Sequence, residues 1–421
     1  MTATDATALE RRAHELDASD PLRPLRERFV DGDAGVVAYL DGNSLGRPPR
    51  ATPERIERFV REAWGGRLIR GWYEGWLAWP EEIGDRLGRV ALGAAPGQVL
   101  VADSTTVLLY KLARAAVAAR PGRRAIVLDQ NDFPTDRYVL EGIAAERGLE
   151  LRFVTTPLDG GVTAEQVAAA AGPDTALVAF THVDYRSAHV ADAAAITRVA
   201  HDAGALVLWD LSHSAGAVEV ALDEWGADLA VGCTYKYLNG GPGSPAFAYV
   251  RAEHQDDLRQ PIQGWLGRRD PFEMGPGYEP APGLRSVISG TPPILAMVPL
   301  QCSLDVLEEA GITAVRAKSV ALTEYAIELA DALLAPRGVT VASPRDSARR
   351  GSHVTLRHGA FRAVLDGLWR DGVLADFREP DCLRIGLSPL TTTFAEVHRG
   401  LTVIEQRVAT HGARGSDRRQ G

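Results

Sequence analysis

The chain alternates. From residue 98 onward, short apolar runs (Val99–Ala102, Ala125–Leu128, Leu151–Val154, Ala176–Phe180, Ala205–Trp209, Leu229–Cys233 and Ala246–Val250) are separated by stretches of helical period such as Ala191–Ala203. Strands of about five residues with no polar face, alternating with helices of about twelve, predict βαβ units and a largely parallel sheet covered on both faces. Upstream, residues 1–20 read as a charged helix ending before Pro21, Val36–Leu40 as a strand, Asp41–Pro49 as a loop and Pro53–Trp64 as a helix. The alternation stops near Pro292-Pro293. Helical patterns over Pro299–Glu309 and Ile312–Leu334 follow, then strand-like pieces (Val339–Ala342, His353–Leu356, Cys382–Leu387) and a helix around Phe361–Asp371. The expected organisation is an N-terminal segment (1–60) packing with a small domain, a large α/β domain (61–298), a small α+β domain (299–411) and a disordered tail (412–421).

Composition narrows the class. Hydrophobic residues at 45% and charged residues at 24% are an ordinary globular mixture. A net charge of −9 argues against a nucleic-acid or acidic-membrane partner. No apolar run approaches the ~20 residues that span a bilayer, and the polar N-terminus lacks a signal-peptide core. Cys233, Cys302 and Cys382 are widely spaced, which suits a reducing compartment and offers neither a disulfide framework nor a metal site. A cytoplasmic protein without a metal is expected. Of 46 basic residues only Lys111, Lys236 and Lys318 are lysines. Coding bias towards arginine explains this, and it leaves three candidates for any chemistry that needs an amine.

In open parallel sheets, ligands bind beyond the carboxyl ends of the strands. Asp103-Ser104-Thr105-Thr106 follows the first strand and opens a helix, where hydroxyls either cap the helix or join its free N–H groups as an anion site; capping is favoured about two to one. Asn131–Asp136 is a turn-rich segment containing Phe133, an apolar ring in a polar loop. Asp210 emerges from an apolar strand, either capping the next turn or serving as counter-ion to a protonated heterocycle with His213 nearby. Lys236 sits at the next strand end, between two tyrosines and before a glycine-rich turn, whereas Lys111 and Lys318 lie in helical patterns and read as snorkelling surface residues. A lysine and a carboxylate at neighbouring strand ends suit pyridoxal phosphate, which needs an amine, a partner for its ring nitrogen and a phosphate cradle.

The segments YLDGNSLG (39–46), DSTTV (103–107), NDFPTD (131–136), WDLSHSAGA (209–217), GCTYKYLNGGPGSPAF (232–247), GWLG (264–267), GTPPIL (290–295) and DFREPDCLRIG (376–386) closely resemble the kynureninases, aminotransferase-like (fold type I) pyridoxal-phosphate enzymes. The resemblance implies cleavage of the Cβ–Cγ bond of L-kynurenine to anthranilate and L-alanine. It implies that Lys236 bonds the cofactor and shuttles protons, aided by Tyr235, and that Asp210 pairs with the ring nitrogen, supported by His213. It places Phe133 and Thr181 against the ring and Thr105, Thr106, Asp136 and Tyr235 around the cofactor and its phosphate. Trp265 and Thr291 are expected from the second subunit of a homodimer; Arg384, with Asn43 and Trp72, is expected to bind the substrate, its α-carboxylate in a bidentate pair with Arg384.

The chain departs from the family pattern at Arg268, where the kynureninases carry histidine, at Thr391 in place of tyrosine, and over Val183–Ala188. These positions bear on the substrate rather than the cofactor, and leave open a related enzyme acting on another γ-oxo or β-substituted amino acid. Gly42-Asn43-Ser44-Leu45-Gly46 matches the esterase G-x-S-x-G, but Arg47-Pro48-Pro49 follows where that motif needs a helix. A binding domain that has merely kept the fold is disfavoured by the intact Lys236 and Arg384.

Overall fold

The computed structural model describes residues 3–417. Among them, β1 (Ala38–Tyr39) precedes the main sheet, which is built from β2 (Val99–Ala102), β3 (Ala125–Asp129), β4 (Glu150–Val154), β5 (Thr175–Thr181), β6 (Leu206–Asp210), β7 (Leu229–Gly232) and β8 (Ala246–Val250). Their spatial order is β2-β8-β7-β6-β5-β3-β4, and only β8 runs antiparallel to its neighbours. The alternation of burial along a strand shows why no polar face was visible. On β2, Val99 and Val101 enter one hydrophobic core while Leu100 and Ala102 enter another, so helices cover both sides.

A second sheet, ordered β12-β13-β10-β9, joins β9 (Thr340–Val341), β10 (His353–Arg357), β12 (Asp376–Arg378) and β13 (Cys382–Gly386). β11 (Val373–Leu374) pairs in parallel with β1, tying the start of the chain to this unit. The N-terminal segment is shared between cores: Ala13, Ala38 and Leu40 join the C-terminal one, whereas Leu22, Leu25 and Phe29 join the large one.

Three expectations need correction. The helix expected from Pro299 starts at Ile294 and carries Pro299 inside it. Part of the expected tail is helical, because the last helix runs Phe394–Asp417; residues 418–421 lie outside the described residues. The largest correction concerns lysine. Lys111 is fully buried, its ammonium 2.6 Å from Asp103 Oδ2 and 2.8 Å from the Val287 carbonyl. Lys318 is likewise buried, 2.5 Å from Asp20. Neither snorkels: each ammonium meets a carboxylate under the surface, as burial of a charge requires.

Candidate active site

The carboxyl ends of the main sheet converge on a cavity of about 100 Å³ lined by Thr105, Thr106, Phe133, Thr135, Asp136, Thr181, Tyr185, Asp210, Ser212, His213, Tyr235 and Lys236. The register explains the convergence, since parallel pairing sets Thr181 on β5 beside Asp210 on β6, and β7 delivers Lys236 next to them. A larger hollow of about 470 Å³, around Arg26, Arg47, Arg50 and Glu396, lies elsewhere. Its Arg47 is paired with Glu396 and its Arg26 and Arg50 with Asp31, and no lysine lines it.

Lys236 Nζ lies 3.1 Å from His213 Nε2 and 5.9 Å from the centre of the Phe133 ring. Burial, reinforced by Lys236 and Arg384, holds the His213 pKa well below the usual imidazole range, so this ring is neutral and accepts from the ammonium. Beneath them sit the carboxylates. Asp210 Oδ1 accepts from the Ser212 N–H at 2.6 Å, and Asp136 lies against Asp210. Burial first, then Asp210 and Asp132, pushes the Asp136 pKa well up, so Asp136 carries its proton; its Oδ2 has no hydrogen-bond partner. Asp132 is pushed up to about 7, mainly by burial, and is held by the Thr181 hydroxyl and N–H.

These residues fit pyridoxal phosphate on three observations. Asp210, buried beside the protonated Asp136, needs a cation or donor to meet it, and a protonated ring nitrogen is such a cation. Phe133 lines the cavity and is 36% exposed, with the Tyr185 ring at 86° to it and 5.3 Å away, so part of its ring is open to a flat ligand. Ser104, the cap of the fourteen-residue helix Thr105–Ala118, makes no side-chain capping bond. The first N–H groups of that helix are therefore not consumed by the Ser104 side chain and are available to an anion.

Across the boundary between the two sheets, Arg384 on β13 is almost wholly buried. Its Nε donates to Asp376 Oδ2 at 2.9 Å, Nη2 donates to the same oxygen, Nη1 donates to the Tyr185 carbonyl at 2.6 Å, and a long 3.4 Å contact joins Nη2 to Ser44 Oγ. One Nη1 hydrogen remains, so a bidentate hold on a carboxylate requires the Ser44 contact to yield. Asn43 is fully buried with neither amide atom partnered, packed where a Cβ on Gly386 would meet its Oδ1 at 1.8 Å.

The loop carrying Asn43 also disposes of the esterase motif. Gly46 donates to the Tyr235 carbonyl at 2.8 Å, and a Cβ there would meet Asn239 Oδ1 at 2.3 Å and the Lys236 carbonyl at 2.4 Å. The glycine lets the loop lie on the lysine turn, and no strand–elbow–helix is formed, since the next helix starts at Thr52.

Trp72, Trp265 and Thr291 do not reach Lys236 within this chain. They line a separate apolar hollow of about 140 Å³ with Ile69, Tyr73, Leu77, Leu266 and Phe272. Residues missed by sequence reasoning are Tyr185 and Asp376, the partners of Arg384, and His353, a buried ring 5.6 Å from that of His213. Nothing in their local sequence separates Asp376 and His353 from ordinary strand residues or Tyr185 from an ordinary turn residue.

A lysine, a neutral histidine and a ring-facing carboxylate at the ends of a mostly parallel sheet define a pyridoxal-phosphate enzyme of fold type I. The architecture is that of solved relatives in that class: an apo cysteine desulfurase from Thermococcus onnurineus (TM-score 0.78, 19% identity, covering 89% of this chain and 95% of that one) and the cystine C–S lyase C-DES (TM-score 0.77, 18% identity, 89% and 98%). Among curated proteins, kynureninase from Pseudomonas fluorescens is 43% identical over 396 residues, 92% of this chain and 93% of that protein, and kynureninase from Burkholderia pseudomallei is 42% identical over 389 residues, 91% of each. Residues 315–404 match the kynureninase C-terminal domain family. The chain belongs to the kynureninase family.

Proposed function

We propose that the chain hydrolyses the Cβ–Cγ bond of L-kynurenine, 3-hydroxykynurenine or both, releasing the corresponding anthranilate and L-alanine. The observation that carries this is the opposition of Lys236, paired with neutral His213 above Asp210, to the buried Arg384. When bound, pyridoxal phosphate supplies an electron sink for the amino acid's Cα. Lys236 Nζ moves the proton at that carbon, and neutral His213 orients the amine by accepting its hydrogen bond. Asp210 holds a proton on the ring nitrogen, and the protonated Asp136 beside it adds no second charge. Burial, with the Cys233 thiol beside it, pushes the Tyr235 phenol up, so it stays protonated and able to donate. Arg384 and the unpartnered Asn43 amide receive the substrate's α-carboxylate, and Thr105, Thr106 and the adjoining helix start receive the phosphate.

We read the active unit as a homodimer. Ile69 and Tyr73 are 70% and 69% exposed, beside Trp72, Trp265 and Phe272. So large an aromatic patch favours burial against a second copy, which would carry Trp265 and Thr291 to the partner's phosphate and Trp72 to the aryl side of the substrate. Among the described residues no helix is long and apolar enough to cross a membrane. All three cysteines are buried and free, which suits a cytoplasmic setting. Arg268, the departure from the family's histidine, is bound to Glu273 at 2.6 Å and to the Asp270 carbonyl, within its own loop.

The test is the purified protein loaded with pyridoxal phosphate. It should be yellow and be bleached by borohydride, the Lys236→Ala variant should be colourless, and L-kynurenine or 3-hydroxykynurenine should release fluorescent anthranilates. Turnover of neither by the loaded enzyme would overturn the substrate assignment; a colourless wild type would overturn the cofactor.

A further inference from the structure

Lys111 stands in the middle of a fourteen-residue helix, yet its ammonium is fully buried and has partners at two distant places. One is Asp103, which adopts a left-handed φ of +47° just before Ser104-Thr105-Thr106. A non-glycine residue is held in that region only when its surroundings fix it, and an ion pair at 2.6 Å from the half-buried Asp103 carboxylate to a fully buried ammonium is such a fixture. The Asp103 carbonyl is also engaged, accepting from the Ala246 N–H at 3.1 Å. The other partner is the Val287 carbonyl, at the end of the turn Gly283–Val287 and four residues before Thr291. The strand of backbone that follows is clamped to the Trp265 turn: Leu266 donates to the Ser289 carbonyl at 3.2 Å, and a Cβ on Gly264 would lie 2.0 Å from that same oxygen.

One ammonium therefore touches both halves of the phosphate site as read above. The turn Asp103–Thr106 serves the cofactor of its own subunit, and the segment Val287–Thr291 with Trp265 serves the cofactor of the partner. We propose that Lys111 is a positioning residue for phosphate binding, tying the phosphate turn of one active site to the phosphate-binding segment that the same chain lends to the other. The inference rests on the cofactor and dimer reading.

The test compares binding of pyridoxal phosphate with that of pyridoxal, which lacks the phosphate, to full-length protein freed of cofactor. Lys111→Met should weaken pyridoxal phosphate by about tenfold or more and pyridoxal by no more than about twofold. Asp103→Asn, which keeps the lysine and changes one atom, should shift affinity in the same direction and decides the matter if Lys111→Met is insoluble. In a double-mutant cycle, Lys111→Met and Thr291→Val should weaken phosphate binding by less than the product of their separate effects. Equal losses for the two ligands, strict independence from Thr291 or no loss at all would each overturn the proposal. A wild type that binds neither ligand would instead overturn the cofactor reading.

Discussion

His213 Nε2 accepts from Lys236 Nζ at 3.1 Å, and burial keeps that imidazole neutral beside a cation. A neutral acceptor here orients the amine without competing for its proton. His213→Phe, which fills the space but accepts nothing, should lower kcat by about tenfold to a hundredfold with cofactor retained. His213→Gln, whose amide oxygen can accept, should recover part of that loss. Since the pKa of His213 lies well below 6.5, the pH–rate profiles of wild type and His213→Gln should have the same shape. A limb near neutrality present only in wild type would show that the ring titrates and that this assignment is wrong.

Asp136 keeps its proton because it is buried against Asp210 and Asp132. Asp136→Asn replaces a neutral acid with a neutral amide and should change kcat/KM by no more than about threefold. Asp210→Asn removes the counter-ion to the ring and should cost about a hundredfold or more. Steady-state kinetics of the two variants, each saturated with cofactor, check this; equal losses would mean that the proton sits elsewhere.

What could be read in the sequence and what could not follows from range. Six of the seven main strands are buried on both faces, a signal contained in each segment, while the edge strand β4 carries Glu150 and Arg152; the strand ends then marked Asp210, His213 and Lys236. Lys111 and Lys318 were misread because a buried ammonium and a snorkelling one occupy the same positions of an amphipathic helix; the difference lies in Asp103, Val287 and Asp20, remote partners that periodicity cannot show. The helix start differs because proline usually opens a helix, whereas here Pro299 is its sixth residue, an interior position where a missing N–H is disfavoured and which no local pattern predicts. β12 spans three residues and alternates charged with apolar, too short for any pattern, yet it supplies Asp376, which fixes Arg384.

Gly46 is where the N-terminal loop meets the lysine turn. Gly46→Ala places a methyl group against the Lys236 carbonyl and the Asn239 side chain, neither of which can retreat without moving the turn. The expected cost is about 1–3 kcal/mol of stability together with a lower kcat, because the carbonyl struck belongs to the residue that does the chemistry. Thermal unfolding and kinetics on one preparation would reveal a contrary result: a variant as stable and as active as wild type.

At the opposite end of the sheet Asp228 bears on stability rather than catalysis. It is buried, and its oxygens accept from His201 Nε2 at 2.9 Å, His254 Nε2 at 2.7 Å and the Val207 N–H at 2.7 Å. Burial alone would raise its pKa; the two imidazoles and the backbone N–H outweigh burial and hold it at about 2. A depressed carboxylate contributes stability that is present above its unfolded pKa and is lost as pH falls through about 2. His201 is shifted the other way, raised chiefly by its hydrogen bond to Asp228, so its contribution is complete below about 6.5 and fades as pH rises through its higher folded value. The cluster thus stabilises most between about pH 4 and 6.5. Asp228→Asn should cost about 2 kcal/mol at pH 5.5 and less at pH 8.5, flattening the pH dependence of unfolding. Urea titrations of both proteins at several pH values would measure it, and a constant gap between the two curves from pH 5 to 9 would show that these imidazoles do not couple to Asp228.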